Sequence, residues 1–590
     1  MQKIKKIFAM VNLCIRKPKT FFKGIKYLFK HGPKGFMENF KHRADYELYP
    51  YEPQEAEAQK CTGEIRFSIL MPVYNVEIKW LEAAISSVRH QNYENWELCI
   101  VDDCSTDPKV REYLEEIEDK RIKIQFQKEN GGISEATNAA AKLAAGEYLV
   151  LMDNDDELAP RALYEFYKRI KKTDADILYS DQDIIDEEGK HRDPLHKPDW
   201  SYDLLLSQMY VGHLLGFRRS LFEKAGGFRS EYNGSQDYDL MLRLVEQTQN
   251  IEHIAKILYY WRALPSSTAA NPDSKPYAQT AGLKAIQSHL NRVYGAGAAT
   301  AEETDSLFVY DVRFHLKTKP LVSVIMPTKD HVDYLRTAID TIEQKTTYPN
   351  YEILILNNNS EEEETKQYFA EVVKTYSNVR VEDALFEFNW SKLNNFGIRH
   401  AKGDLFIFMN NDMDVITPDW MERLAEKAMR KGTGVVGGLL LYEDGTIQHA
   451  GVIAGMGGWA DHVFKGMKPV HYGSPFISPM VTRNVTAVTG ACMAISRETI
   501  ETIGNFDEHF IICGSDIEIC IRAINRGYVN VYDPYVQLHH FESKSRDSYI
   551  PEIDFKLSYK MYENYHGHSD PYYNKCLDMN SCVPRLKQKN

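Results

Sequence analysis

Four residues in a row, Asp153, Asn154, Asp155 and Asp156, close the apolar run EYLVLMDNDD. Alternate side chains at a strand end lie on one side, which lets Asp153 and Asp155 face a single point. Two hard oxygen ligands there suit Mg²⁺ or Mn²⁺, which commonly share their shell with phosphate oxygens. A solvated turn uses the same residue types. The group returns in the second half as Asn410-Asn411-Asp412, with Asp412 at the place of Asp155, and that recurrence speaks against a turn alone.

Asp237 and Asp516 form the second constellation. Each follows a glycine-containing loop and opens an amphipathic segment, SQDYDLMLRLVE and GSDIEICIRAIN. An acid there can stabilise a helix start. Held at a cleft edge, it can instead be the general base for a hydroxyl nucleophile. His540, in QLHHFESKSR with Glu542 and Ser543, is the third candidate. It follows the apolar run VNVYDPYVQL, and it reads either as a structural histidine or as a late metal ligand, imidazole being acceptable to Mn²⁺ though not preferred.

The elements that must position these residues occur twice. Pro72 recurs as Pro327 and Glu97 as Glu352, both 255 residues on; Gly146 recurs as Gly403 after 257, and Asp237 as Asp516 after 279. A nearly constant offset of this length describes a duplicated domain, not a solenoid. FSILMPV, WELCIVDD and EYLVLMDND read as strands, and IKWLEAAISSVRHQ and ISEATNAAAKLAAG as helices. Their alternation predicts an α/β fold with a mostly parallel, doubly wound sheet in each copy, and ligands in such sheets bind beyond the carboxyl ends of the strands. The predicted division is 1–64, a basic amphipathic segment; 65–315 and 320–548, the two domains; and 549–590, a tyrosine-rich tail.

Composition narrows the function classes. The 590 residues are 43% hydrophobic and 26% charged, an ordinary globular balance that excludes a largely disordered chain. No apolar run is long enough to cross a membrane, and lysines break up the apolar residues at the start, so no signal peptide is expected. Nine cysteines without a CxxC pair disfavour a disulfide framework or zinc ribbon and point to a reducing cytosol. A net charge of −13 argues against nucleic acid as a partner. Residues 1–43 nevertheless carry twelve Lys/Arg against Glu38 alone. Within 20–30, Phe21, Phe22, Ile25, Leu28 and Phe29 recur at helical spacing with Lys23, Lys26 and Lys30 off the stripe. That pattern predicts an interfacial helix on an anionic membrane surface; the competing reading is a helix packed on the protein. There is no P-loop, HExxH or GxSxG motif, and no GxGxxG after the first strand of either copy.

Taken together, PVYN, VDD-S, the N-GG-S-A-N-A series running into GEY---MD-DD, QDYDL and YYWR resemble a tandem family 2 glycosyltransferase of the GT-A fold, over about residues 65–548. FMNND, DGTIQHAG, VTGACMAISR and HFESKSR make the second half similar to the rhamnosyltransferase-like branch. The resemblance implies inverting transfer of a sugar from a nucleoside diphosphate to a hydroxyl of a growing bacterial cell-surface polysaccharide. Asp237 and Asp516 would then be the bases, and Asp153, Asp155, Asp412 and His540 the ligands of Mg²⁺ or Mn²⁺. Asp102 and Asp103 would contact base and ribose, with Pro72, Tyr74, Asn130, Gly131, Asn138 and Asp153 around the donor and Arg262 near the diphosphate or acceptor. Pro327, Asn357, Asn358, Asn394 and Asn410 would be the second-half donor residues. Asn357 departs from the usual Asp, Gly514-Ser515-Asp516 departs from the usual Glu-Asp pair, and the first half has no counterpart of His540 after YYWR. The resemblance makes a UDP-hexose plausible for the first half and dTDP-rhamnose for the second, with a lipid-linked saccharide acceptor and a location on the cytoplasmic face of the plasma membrane. The alternatives are a single active half beside a binding or structural one, and a carbohydrate-binding scaffold without activity. A paired-carboxylate glycosidase is also conceivable, but strand-end acids on a dinucleotide-type sheet favour nucleotide-sugar transfer.

Overall fold

The computed structural model describes residues 59–264, 276–541, 550–565, 567 and 570–587. The basic segment 1–43, together with Glu542 and Ser543, lies outside the described residues.

The duplication is a duplication of topology. In the first half the strands run side by side as Ile122–Phe126, Trp96–Asp102, Phe67–Val73, Tyr148–Leu151, Leu215–Arg218, Ile177–Ile185, Ile251–Arg262 and Glu157–Leu158. In the second they run as Val379–Asp383, Tyr351–Asn357, Val322–Thr328, Leu405–Met409, Cys492–Ser496, Thr433–Leu441, Val529–His540 and Met413–Val415. The first four of each series are parallel. The fifth is antiparallel to both neighbours, so each sheet is mixed, with its parallel part at the N-terminal side of the domain. The eighth is antiparallel to its neighbour as well; apolar runs alone do not reveal direction, which is why the expected mostly parallel sheet gains antiparallel strands.

Phe67–Val73 and Trp96–Asp102 are buried along almost their whole length, as strands covered by helices on both faces must be. Helix Ile78–Arg89 turns Trp80, Leu81, Ala84, Ile85 and Val88 to the sheet; Val332–Lys345 does the same with Leu335, Ala338, Ile339 and Ile342. The recurring glutamates are structural. Glu97 accepts from Ser68 Oγ at 2.6 Å and from the Ala145 and Gly146 N–H groups. Glu352 accepts from Ser323 Oγ and Lys402 N–H, both at 2.7 Å. Each carboxylate therefore ties the first strand to the turn before the strand that ends in the acidic cluster.

The halves are not independent beads. One apolar core runs from Leu70 and Leu149 through Leu204, Tyr310 and Phe314 to Val485, Val488 and Tyr532. At its polar edge Asp203, only 3% exposed, meets Arg430 at 2.7 Å and accepts from Asn484 Nδ2 at 2.7 Å, while Ser201 Oγ donates to Asn484 Oδ1. Arg313 pairs with Glu426 and Arg423 with Asp311. The described residues of the tyrosine-rich tail are packed against both halves. Helix Glu552–Met561 packs on the second half, with Asp554 accepting from the Ile511, Ile512 and Cys513 N–H groups. Farther on, Asn574 Nδ2 donates to both oxygens of Asp181 and to Lys197 O in the first half. The Lys197 N–H, His253 and His196 also reach Asp181, and against the cost of burial the two imidazoles, His253 before His196, hold its pKa below the ordinary carboxylate value.

Candidate active sites

In the first half the chain places Asp153, Asp155 and Asp156 just past Tyr148–Leu151, at the carboxyl edge of the sheet. The turn is fixed from beneath. Asn154 Nδ2 donates to Pro72 O at 2.9 Å, Tyr259 Oη donates to Asp156 Oδ2, and the Asp153 N–H donates to Tyr259 Oη at 3.2 Å. Asp156 is 1% exposed; burial, with Asp155 and Asp153 adding repulsion, pushes its carboxyl well above the ordinary value. It is therefore a structural acid beneath the pair Asp153 and Asp155.

Arg262 belongs to the same substructure and corrects an expectation. Its guanidinium donates to Asp155 O at 2.8 Å, pairs with Glu157 and lies 4.3 Å over the Trp80 ring, at 2% exposure. These contacts use it to buckle the acidic turn, so it is not placed to meet a diphosphate or an acceptor. YYWR placed it correctly along the chain, but not the direction of its side chain.

Asp237 lies in the first turn of helix Gln236–Val245, after Ser235 at the cap, and its Oδ1 accepts the Tyr238 N–H at 2.9 Å. Burial and then Asp153 raise its pKa, against the pull of His213. His213 is the residue that sequence reasoning missed. Its Nε2 is 3.7 Å from Asp153 Oδ2 and its ring stacks on Tyr259 at 4.7 Å, so one imidazole stands among both acids. The available signal was a histidine interrupting the apolar run VGHLLGF. By strand register its counterpart in the second half is Ala491.

The second half builds its site differently. Asp516, in the first turn of Ser515–Asn525, accepts the Gly490 N–H through Oδ2 and the Ile517 N–H through Oδ1, both at 2.9 Å, and burial raises its pKa. Gly490 permits the approach: a Cβ there would lie 2.7 Å from the Trp390 ring and 3.2 Å from Asp516 Cβ. Next to it, Ala491 O accepts the Asn410 N–H at 2.9 Å, which brings the base candidate beside the strand end. His540 comes back to that point. Its Nε2 is 3.3 Å from both Asp412 Oδ1 and Asn410 Nδ2. Asp412 Oδ1 is buried and has no hydrogen-bond partner among the described residues. A buried carboxylate oxygen facing an imidazole nitrogen is a donor pair that fits a divalent cation.

The expected donor residues divide into two groups. Tyr74 is 47% exposed after the first strand and is free to face a ligand. Pro72 and Pro327 end the first strands, the former presenting its carbonyl to Asn154. Asp102 and Asn357 perform one task, accepting the N–H of Ser105 and Ser360 respectively, which is why Asn tolerates the place of Asp. Asp103 accepts the Gly131 and Gly132 N–H groups at 2.8 Å, and Asn130 donates to Asp103 O, so these residues shape the loop. Asn358 likewise donates to Ala384 O and Phe386 O. Two assignments are corrected. Asn138 has both ends of its amide on the Phe228 backbone, so it straps helix Ile133–Leu143 to the base loop. Its counterpart is Asn395, bonded in the same way to Phe506, and not Asn394, which donates to Trp390 O within its own helix. Two adjacent asparagines made that choice invisible in sequence.

The sequence pattern of glycosyl transferase family 2 matches residues 68–226 and again 323–504. An uncharacterised protein of Sinorhizobium fredii, y4gI, is 39% identical over 526 residues, covering 86% of this chain and 57% of that protein. The O-antigen biosynthesis protein RfbC of Myxococcus xanthus is 37% identical over 533 residues, covering 89% of this chain and 41% of that protein. The chain thus spans about half the length of these curated relatives. Among solved structures, S. aureus TarS 1-349 in complex with UDP-GlcNAc is similar at 19% identity and a TM-score of 0.33, over 38% of this chain and 67% of that one. With the family pattern matched on both copies and the strand order repeated, the chain belongs to glycosyl transferase family 2, as a tandem pair of GT-A domains.

Proposed function

We propose that the protein is a bifunctional inverting glycosyltransferase of bacterial surface-polysaccharide synthesis, with units 65–315 and 320–548 each adding one sugar. The observation that carries this reading is that each half brings a buried, raised-pKa aspartate of a helix's first turn to the strand end that carries Asp153 in one half and Asn410 in the other. Asp237 and Asp516 take the proton from the acceptor hydroxyl as it attacks the anomeric carbon. A single base is enough for inversion. Mg²⁺ or Mn²⁺, held by Asp153 and Asp155 in one half and by Asp412 and His540 in the other, would neutralise the leaving diphosphate. Tyr74 offers an exposed ring for the nucleoside face. The likeness to an O-antigen biosynthesis protein supports a saccharide product; in our reading the acceptor is lipid-linked, and the donors are a UDP-hexose for the first half and dTDP-rhamnose for the second.

The test is nucleoside-diphosphate release and product mass with each half altered. Asp155→Ala is expected to remove the first addition alone, and EDTA to remove both. Full turnover in EDTA would eliminate the metal. A second reading, transfer by the first half only, is favoured by neutral Asn410 in the place of Asp153; Asp412→Ala without effect on any product would establish it.

The basic segment 1–43 is proposed to hold the enzyme on the cytoplasmic face of the membrane, each basic residue near an anionic leaflet contributing about 1 kcal/mol. Intact protein is expected to co-sediment with anionic vesicles at low salt, and residues 44–590 to stay in solution. Equal sedimentation of the two would refute the assignment. No helix among the described residues is long and apolar enough to cross a membrane.

A further inference from the structure

DGTIQHAG stands out in the second half, yet neither the base nor the acidic pair uses it. Its glutamine lies in the three-residue strand Ile447–His449, hydrogen-bonded antiparallel to Thr433–Leu441. On its other side Thr433–Leu441 pairs with Val529–His540, so the motif's strand and the strand ending in His540 flank a common neighbour. Across the end of that neighbour, Gln448 Oε1 lies 2.7 Å from His540 Nδ1. Both side chains are buried, at 4% and 8% exposure. A buried contact this short makes the imidazole the donor at Nδ1, because the amide oxygen only accepts.

The consequence falls on the other ring nitrogen. In the neutral ring with its proton on Nδ1, Nε2 keeps its lone pair, and Asn410 Nδ2 is able to donate to it at 3.3 Å. Asp412 Oδ1, equally an acceptor and without a hydrogen-bond partner among the described residues, is also 3.3 Å away. Two buried acceptors facing each other repel unless a positive charge joins them. A ring nitrogen pinned by an oxygen acceptor while its opposite nitrogen faces a carboxylate is the arrangement that orients histidine ligands on metals.

The first half supplies an internal comparison. Strand register places Trp261 where the second half has His540. Leu195, opposite Gln182, matches His449, opposite Leu440, so Pro194 stands where the second half has Gln448. The half without a counterpart of His540 also lacks a side-chain acceptor at the place of Gln448.

We propose that Gln448 is a positioning residue, fixing His540 in the tautomer and orientation that aim Nε2 with Asp412 at a divalent cation. This rests on the metal site proposed for the second half. The test is Mn²⁺ titration of the full chain followed by electron paramagnetic resonance, in an Asp155→Ala background that silences the first half. Gln448→Met, of similar length but without a strong acceptor, is expected to weaken Mn²⁺ binding about 10–100-fold. Gln448→Glu, an acceptor of the same length, is expected to restore it, and both should melt like the parent; Gln448→Leu serves if the Met variant folds poorly. Parent affinity in Gln448→Met and Gln448→Leu, with binding lost in His540→Ala, would overturn the positioning role alone. Parent affinity in His540→Ala would remove the metal site and this role together.

Discussion

Asp516→Asn is expected to lower transfer by the second half about 10²–10⁴-fold, the usual effect of losing a general base. Asp237→Asn should do the same to the first. The substitution keeps the shape and leaves one oxygen to accept the Gly490 or Ile517 N–H, so fold and donor affinity should survive. The pH dependence adds a second check. Burial raises the Asp516 pKa, and the base works only when deprotonated, so the acid limb of kcat/KM should lie above the ordinary carboxylate value of about 3.9. In Asp516→Asn that limb should vanish. An unfolded variant whose remaining folded fraction keeps full activity would leave Asp516 as a helix-start residue only.

Asp203→Ala is expected to cost about 3–5 kcal/mol, because it leaves Arg430 buried without its partner. The same change removes the shorter of the two acceptors of Asn484 Nδ2, leaving Asn530 O. Since Asp203 and Arg430 sit on opposite halves of one apolar core, the loss should move a single unfolding transition of the whole chain. A calorimetric trace with two transitions, one of them unmoved, would show that the halves unfold separately. This coupling also changes what point variants mean. Two separate domains would give additive effects, but residues that share a buried network do not.

The parts that were legible in sequence are those fixed by chain order. Strand ends carrying acids, a base candidate after a glycine loop, and His540 at the end of the last strand all follow from periodicity and the repeat. What escaped depends on side-chain direction and on pairing between distant strands. Arg262 lay at the expected place but turns into Trp80 and the turn carbonyls. Asn394 and Asn395 differ by one helical step, which turns one amide onto its own helix and the other onto Phe506. His213 stayed hidden because a histidine in an apolar run is as often packed as functional, and only the antiparallel strand Leu215–Arg218, whose direction the sequence did not give, brings it to Asp153.

The bond from Asn574 to Asp181 joins residues 393 positions apart. A ribosome adding about 5–20 residues per second therefore delivers the partner of Asp181 some 20–80 s after Asp181 itself. Until then His196, His253 and Asp181 form an unfinished polar cluster, one strand away from the backbone that carries His213 through Lys197. The half made first thus waits for the end of the chain, and during synthesis a chain interrupted anywhere in the second half carries a first half still missing its contact with the tail.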